Sequence, residues 1–263
     1  MPKADRVPSG TDPTKPNSAR VYNYLLGGKD NYEVDELVAH RMLAVAPDTR
    51  TLAWFCRQFL LHSVRLAAEA GVRQFIDIGA GIPISPNVHE VAQQIDASAR
   101  VVSIDYDPVV YAHGNALLAG VPGVFSMLGD IRRPNDIIER SRTEALIDFD
   151  KPVAILIVGV LHFVMDDEHP AEIVGVLRDV LAPGSYLAFT HASDNTHADF
   201  IERSSSDTVG SSSQVRYRSP ATVAAFLDGF DAVGPGLAPV QEWLGDDLPS
   251  TRVVILGGVG RKQ

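Results

Sequence analysis

The residues best placed to do chemistry lie in Phe75-Ile76-Asp77-Ile78-Gly79-Ala80-Gly81, an apolar run interrupted by a carboxylate and closed by a two-glycine turn. Glycines there let the backbone approach a ligand closely, at the carboxyl edge where open α/β sheets bind ligands. Two more acids follow at comparable places. Asp105 ends the apolar run Val101–Ile104, and Asp130-Ile131 follows Val124–Leu128 and Gly129. A carboxylate at the end of a second strand can accept from both hydroxyls of a ribose. One beyond a third strand can accept from an adenine amino group, with Ile131 packed on the ring, and Asp77 favours a positively charged group nearby.

A dinucleotide fits this pattern badly, because the position of the third glycine is Ile84, preceded by Pro83. That weighs against a nicotinamide-dependent oxidoreductase. S-adenosylmethionine has no phosphates and carries an ammonium and a sulfonium, so it suits Asp77, Asp105 and Asp130, with Gly79 and Gly81 giving backbone access.

Strands that would present these residues are expected at Gln74–Ile78, Val101–Ile104, Val124–Leu128, Val153–Val158, Tyr186–Thr190, about Val240–Trp243, and Val253–Leu256. Amphipathic stretches alternate with them, which predicts an α/β fold: a Rossmann-like, seven-stranded, mostly parallel sheet with helices on both faces. Ser85-Pro86 and Asp107-Pro108 each place a capping residue before a proline suited to a first helical turn. Ile173, Val174, Leu177, Val180 and Leu181 form one helical face closed by Pro183-Gly184. Ahead of the sheet, helices are expected over Ser18–Leu26, Glu33–Ala46 and Asp48–Ala70, with Gly71 as the C′ residue. The chain thus divides into a disordered leader (1–16), an N-terminal helical cap (17–70) and a sheet domain (71–263). Gly27-Gly28 reads as a flexible break, so the cap is expected to act as a lid. The serine-rich stretch Ser204–Ser213 reads as a mobile loop.

The ordered set Asp77-Ile78-Gly79-Ala80-Gly81, Asp105 and Asp130-Ile131 resembles the class I S-adenosylmethionine-dependent methyltransferases, from about Gly71 to the C-terminus. A narrower resemblance covers most of the chain. Ser18-Ala19-Arg20-Val21-Tyr22-Asn23-Tyr24-Leu25-Leu26-Gly27-Gly28-Lys29-Asp30-Asn31 looks like the opening signature of a bacterial methyltransferase family long catalogued as a domain of unknown function. Val160-Leu161-His162-Phe163 and Pro183-Gly184-Ser185-Tyr186-Leu187 look like its later motifs. The resemblance implies methyl transfer from S-adenosylmethionine, with Tyr22, Gly27 and Gly28 joining the cofactor site, and it brings no acceptor identity. Cys56 departs from it, since an asparagine is expected before Arg57.

His162 follows the fourth strand, where a histidine could deprotonate an oxygen or nitrogen nucleophile. A partly buried structural histidine is the competing reading, and His191 is a second candidate. Asp166-Asp167-Glu168 reads as a solvated helix entrance. With one cysteine and no Cys/His cluster of suitable spacing, neither a disulfide framework nor a zinc site is expected, and a cytoplasmic location follows. The net charge of −10 argues against general nucleic-acid binding. The longest apolar stretch, Pro152–Leu161, is too short for a membrane helix. A small-molecule acceptor is the expected partner, nothing in the sequence sets the oligomeric state, and a cofactor-binding regulator without catalysis is the remaining alternative.

Overall fold

A computed structural model describes residues 14–208, 214–245 and 247–263, so most of the expected leader lies outside the described residues. Three helices precede the sheet: α1 (Ser18–Leu25), α2 (Glu33–Val45) and α3 (Thr49–Glu69). Asn17 caps α1 by accepting from the amides of Ala19 and Arg20. Gly71, at φ +96°, ends the α3 segment as a left-handed C′ residue.

The sheet then alternates with helices: β1 (Gln74–Ile78), α4 (Val88–Ile95), β2 (Arg100–Asp105), α5 (Pro108–Leu118), β3 (Val124–Leu128), α6 (Pro134–Thr143), β4 (Ala154–Ile157), α7 (Pro170–Asp179) and β5 (Tyr186–Ala192). The remaining elements are α8 (Ala198–Thr208), α9 (Pro220–Ala224), β6 (Asp231–Ala232), β7 (Ala238–Pro239) and β8 (Ile255–Arg261). Strand order is β3-β2-β1-β4-β5-β8-β6, with β7 also on β8; β1 to β5 run parallel and β8 pairs antiparallel to β5. The expected α/β architecture with helices on both faces is thus present, with eight strands among the described residues against seven expected. Period-2 alternation divides the core. Phe75, Val101, Ala154 and Leu156 pack under α3 and α4, while Ile76, Ile78, Ile104 and Ile155 pack under α6 and α7. Among the described residues no helix is long and apolar enough to cross a membrane.

Four local expectations are corrected. Val240–Trp243 is a turn, not a strand; its apolar side chains are buried all the same, and Trp243 Nε1 donates to Gly257 O at 3.0 Å. The last strand starts later than Val253 and runs through Gly257, Gly258 and Gly260, where packed side chains leave no room for a Cβ. A Cβ at those positions would fall within 2.8 Å of Phe59, 3.0 Å of Phe189 and 2.6 Å of Phe230 respectively. Helix α4 begins at Val88, capped by Asn87 with Glu90 and not by Ser85. The start of the serine-rich stretch continues α8 rather than forming a loop, and residues 209–213 lie outside the described residues. Asp107 does cap α5, accepting from Val109 N at 2.7 Å with Pro108 in the first turn.

Candidate cofactor site

The strand order reverses between β1 and β4, so the carboxyl ends of β3, β2, β1 and β4 stand side by side at a topological switch point. The glycine turn after β1 is tied to β2, since Gly79 N and Ala80 N both donate to Ile104 O, at 2.7 and 3.0 Å. Gly79 sits at φ +75°, and a Cβ on it would lie 2.1 Å from Val160 Cγ2. Packing by the β4 turn therefore demands this glycine. Gly81, at φ +67°, faces open space, with nothing within 4 Å of an added Cβ.

Asp105 Oδ2 accepts from Gly81 N and Oδ1 from Asp107 N, each at 3.0 Å, so one carboxylate secures both the glycine turn and the start of α5. Burial pushes Asp105 up to about 6, against the hydrogen bonds from Asp107 and Gly81 that lower it. Asp77 lies on the α3 side of β1, 5% exposed, and accepts no hydrogen bond among the described residues. Burial pushes it up to about 7, with Arg57 drawing it down and Asp105 adding to the rise. Asp77, Gly81, Asp105 and Arg57 line one cavity. Arg57, on α3, donates to Ile84 O and Pro86 O, while its Nε is buried without a partner. A buried carboxylate without a donor is costly unless a ligand completes it, and an ammonium does so. The carboxylate acceptors and the open space beside Gly81 thus fit S-adenosylmethionine.

Asp130 does not line that cavity. Both its oxygens accept from Arg132, which also reaches Glu168 at 3.0 Å. Partial burial raises the Asp130 pKa, but the hydrogen bonds and charge of Arg132 outweigh it and hold the carboxyl below its usual range. Ile131 is 7% exposed and belongs to the core under α6.

In the cap, Tyr22 donates its hydroxyl to Ala53 O at 2.9 Å, and burial raises its pKa far above the ordinary tyrosine value. Gly27 and Gly28 form a hydrogen-bonded turn after α1. Gly27 N donates to Tyr24 O and Gly28 N to Asn23 O, and a Cβ on Gly28 would fall 2.3 Å from the Asn23 side chain. Asn23 Oδ1 in turn accepts from Asp30 N and Asn31 Nδ2. Arg20 and Asp35, 3% and 0% exposed, pair at 2.8 Å beneath this turn. Cys56 is buried in the α3 core, not in the cavity, and burial pushes its thiol up to about 12. The cavity residue is its neighbour Arg57, which the sequence showed only as the flank of Cys56.

His162 lies in the short turn Leu161–Phe163 after β4, its Nδ1 buried without a partner. Burial, then His191 and Arg218, push it down to about 3, so it is neutral at pH 7 and a weak base. His191 is likewise buried and lowered to about 4. Asp166 accepts from both Arg216 and Arg218, so the acidic stretch is ion-paired as well as solvated. Among the described residues no cluster of ligating side chains could hold a metal.

The mainly parallel sheet, with a glycine turn and buried acids at its switch point, has the class I methyltransferase architecture. A profile of the S-adenosyl methyltransferase family matches residues 5–263, and the chain belongs to that family. A solved protein from Thermobifida fusca, described as a candidate methyltransferase, is 37% identical over 98% of this chain and 99% of its own, with a TM-score of 0.88. A DUF574 family protein from Streptomyces avermitilis is 32% identical over 94% and 98%, with a TM-score of 0.87. The N-methyltransferase NodS of Bradyrhizobium japonicum, solved with S-adenosyl-L-homocysteine, shares the fold at 15% identity and a TM-score of 0.52, over 92% of this chain and 98% of its own. No curated protein matches the sequence. The protein is an S-adenosylmethionine-dependent methyltransferase, and neither the oxidoreductase nor the regulator reading is favoured.

Proposed function

We propose that the enzyme methylates a small-molecule acceptor in the bacterial cytoplasm, using the β1–β4 switch point as the cofactor site. The observation that carries the site assignment is the buried, unpartnered Asp77 beside Gly81 and Asp105. The bound cofactor supplies a methyl group on a sulfonium, already activated for in-line displacement. Asp77 accepts from the amino group and Asp105 from the ribose hydroxyls, while Gly79 and Gly81 keep the turn free of side chains. Asp130 accepts from the adenine amino group with a carboxylate already aligned by Arg132, and Ile131 supports the ring side. The cap, with Tyr22, Gly27 and Gly28, excludes water as a packed cover.

His162 contributes as a neutral polar contact on the acceptor side. An acceptor that starts protonated then loses its proton to water or to its own basic group. The acidic balance of the chain supports a small molecule over a nucleic acid. Incubating the protein with methyl-labelled cofactor and a deproteinised bacterial extract tests the reading. Label should pass to a compound of metabolite size, whereas label found only in protein or nucleic acid from an undepleted extract refutes it.

A further inference from the structure

The turn after β4 is held by one buried cation that no sequence motif announced. Arg218, 5% exposed, donates Nη1 to Leu161 O at 3.3 Å, Nη2 to Val164 O at 2.8 Å, and Nε and Nη2 to Asp166 Oδ1 at 3.1 and 2.7 Å. Its Nη1 also meets His191 Nε2 at 2.7 Å. A guanidinium can only donate, so Nε2 is the acceptor and the His191 proton sits on Nδ1, facing Ala192 O at 2.8 Å. The neighbouring backbone locks in as well, since Arg218 N donates to Ala192 O and Arg216 N to His162 O. Both carbonyls flanking His162 and Phe163 are therefore tied to one planar head group. The same turn carries Val160, whose methyl occupies the space that a Cβ on Gly79 would need.

We propose that Arg218 is a positioning residue for methyl transfer, fixing the Val160–Val164 turn so that Val160 braces the glycine loop and His162 is held at the β4 edge. The proposal rests on the reading of the β4 edge as the acceptor side. It predicts two linked effects of loosening one clamp: motion in the turn, and poorer cofactor retention through Val160 and Gly79.

The test uses the full chain as wild type, Arg218→Lys, Arg218→Met and Asp166→Asn. Amide exchange is followed for peptides covering 159–166 and for β1 and β2. S-adenosylhomocysteine affinity is measured by calorimetry, and the His191 tautomer by nitrogen-15 NMR. Arg218→Met should speed exchange in the turn by about tenfold or more while β1 and β2 stay protected. It should also free the His191 tautomer and weaken binding several-fold. Lysine keeps the charge but cannot span the two carbonyls and the carboxylate, so Arg218→Lys should fall between methionine and wild type. If Arg218→Met does not fold, Asp166→Asn keeps the cation, removes its counter-charge, and should give the same signature more weakly. Folded variants with wild-type exchange in the turn and wild-type affinity overturn the proposal. A wild type that does not bind S-adenosylhomocysteine refutes the cofactor site instead, and the exchange data still decide whether Arg218 holds the turn.

Discussion

Gly79 and Gly81 both have positive φ, yet the structure gives them different reasons to be glycine, and alanine substitution separates the two. Gly79→Ala meets two penalties. A left-handed backbone costs an L-residue about 1–2 kcal/mol, and the new Cβ, 2.1 Å from Val160 Cγ2, adds overpacking of about 1–3 kcal/mol. The loss of stability should total about 2–5 kcal/mol. Gly81→Ala has nothing within 4 Å, so only the backbone penalty of about 1–2 kcal/mol applies, while its methyl enters the cavity shared with Asp77 and Asp105. Val160→Ala supplies the control, because removing Cγ2 removes the overlap. Urea denaturation of wild type, Gly79→Ala, Val160→Ala and the double variant should show a favourable coupling of about 1–3 kcal/mol. Calorimetry with S-adenosylhomocysteine should show Gly81→Ala binding weakly despite a smaller loss of stability. Additivity within about 0.5 kcal/mol would refute the packing argument.

Asp77 gives a pH dependence of unusual sign. Its folded pKa, about 7, lies above the unfolded carboxyl value, so without cofactor its stabilising contribution is complete below about pH 4 and is lost as pH rises through 7. Asp77→Asn should therefore flatten the fall in stability over that window and also weaken cofactor binding; superimposable stability–pH curves would contradict the buried-acid assignment. Arg20→Met leaves the Asp35 carboxylate buried without its partner and should cost about 3–5 kcal/mol in urea denaturation, where a loss below 1 kcal/mol would mean that the cap hub is not structural. Since His162 is protonated only near pH 3, His162→Gln should leave the pH–rate profile unchanged between about pH 6 and 9 once an acceptor is in hand. A lost ionisation in that window would restore the histidine as a base.

What the sequence disclosed followed the physics of local pattern. Phe75–Ile78 stood out because an uninterrupted apolar run before a glycine turn has few other uses, and Asp107-Pro108 because a cap and its proline are adjacent. The glycine-bearing half of β8 was hidden, since Gly257, Gly258 and Gly260 have no hydropathy of their own and are explained only by side chains from other segments. Val240–Trp243 misled for the opposite reason, as apolar side chains fill the core equally well from a turn. Arg57 and Arg218 were invisible because their partners, backbone carbonyls and for Arg218 also Asp166 and His191, lie far along the chain. The Asp130–Arg132 pair was within reach, since the two residues are only two apart.

Asp77, Gly81 and Asp105 are proposed to grip the cofactor at the β1–β4 switch point. A crystal structure of the protein with S-adenosylhomocysteine tests it most directly. The amino group should lie within about 3 Å of an Asp77 oxygen, with both ribose hydroxyls at the Asp105 carboxylate. A ligand seated elsewhere, with Asp77 still unpartnered, would contradict it.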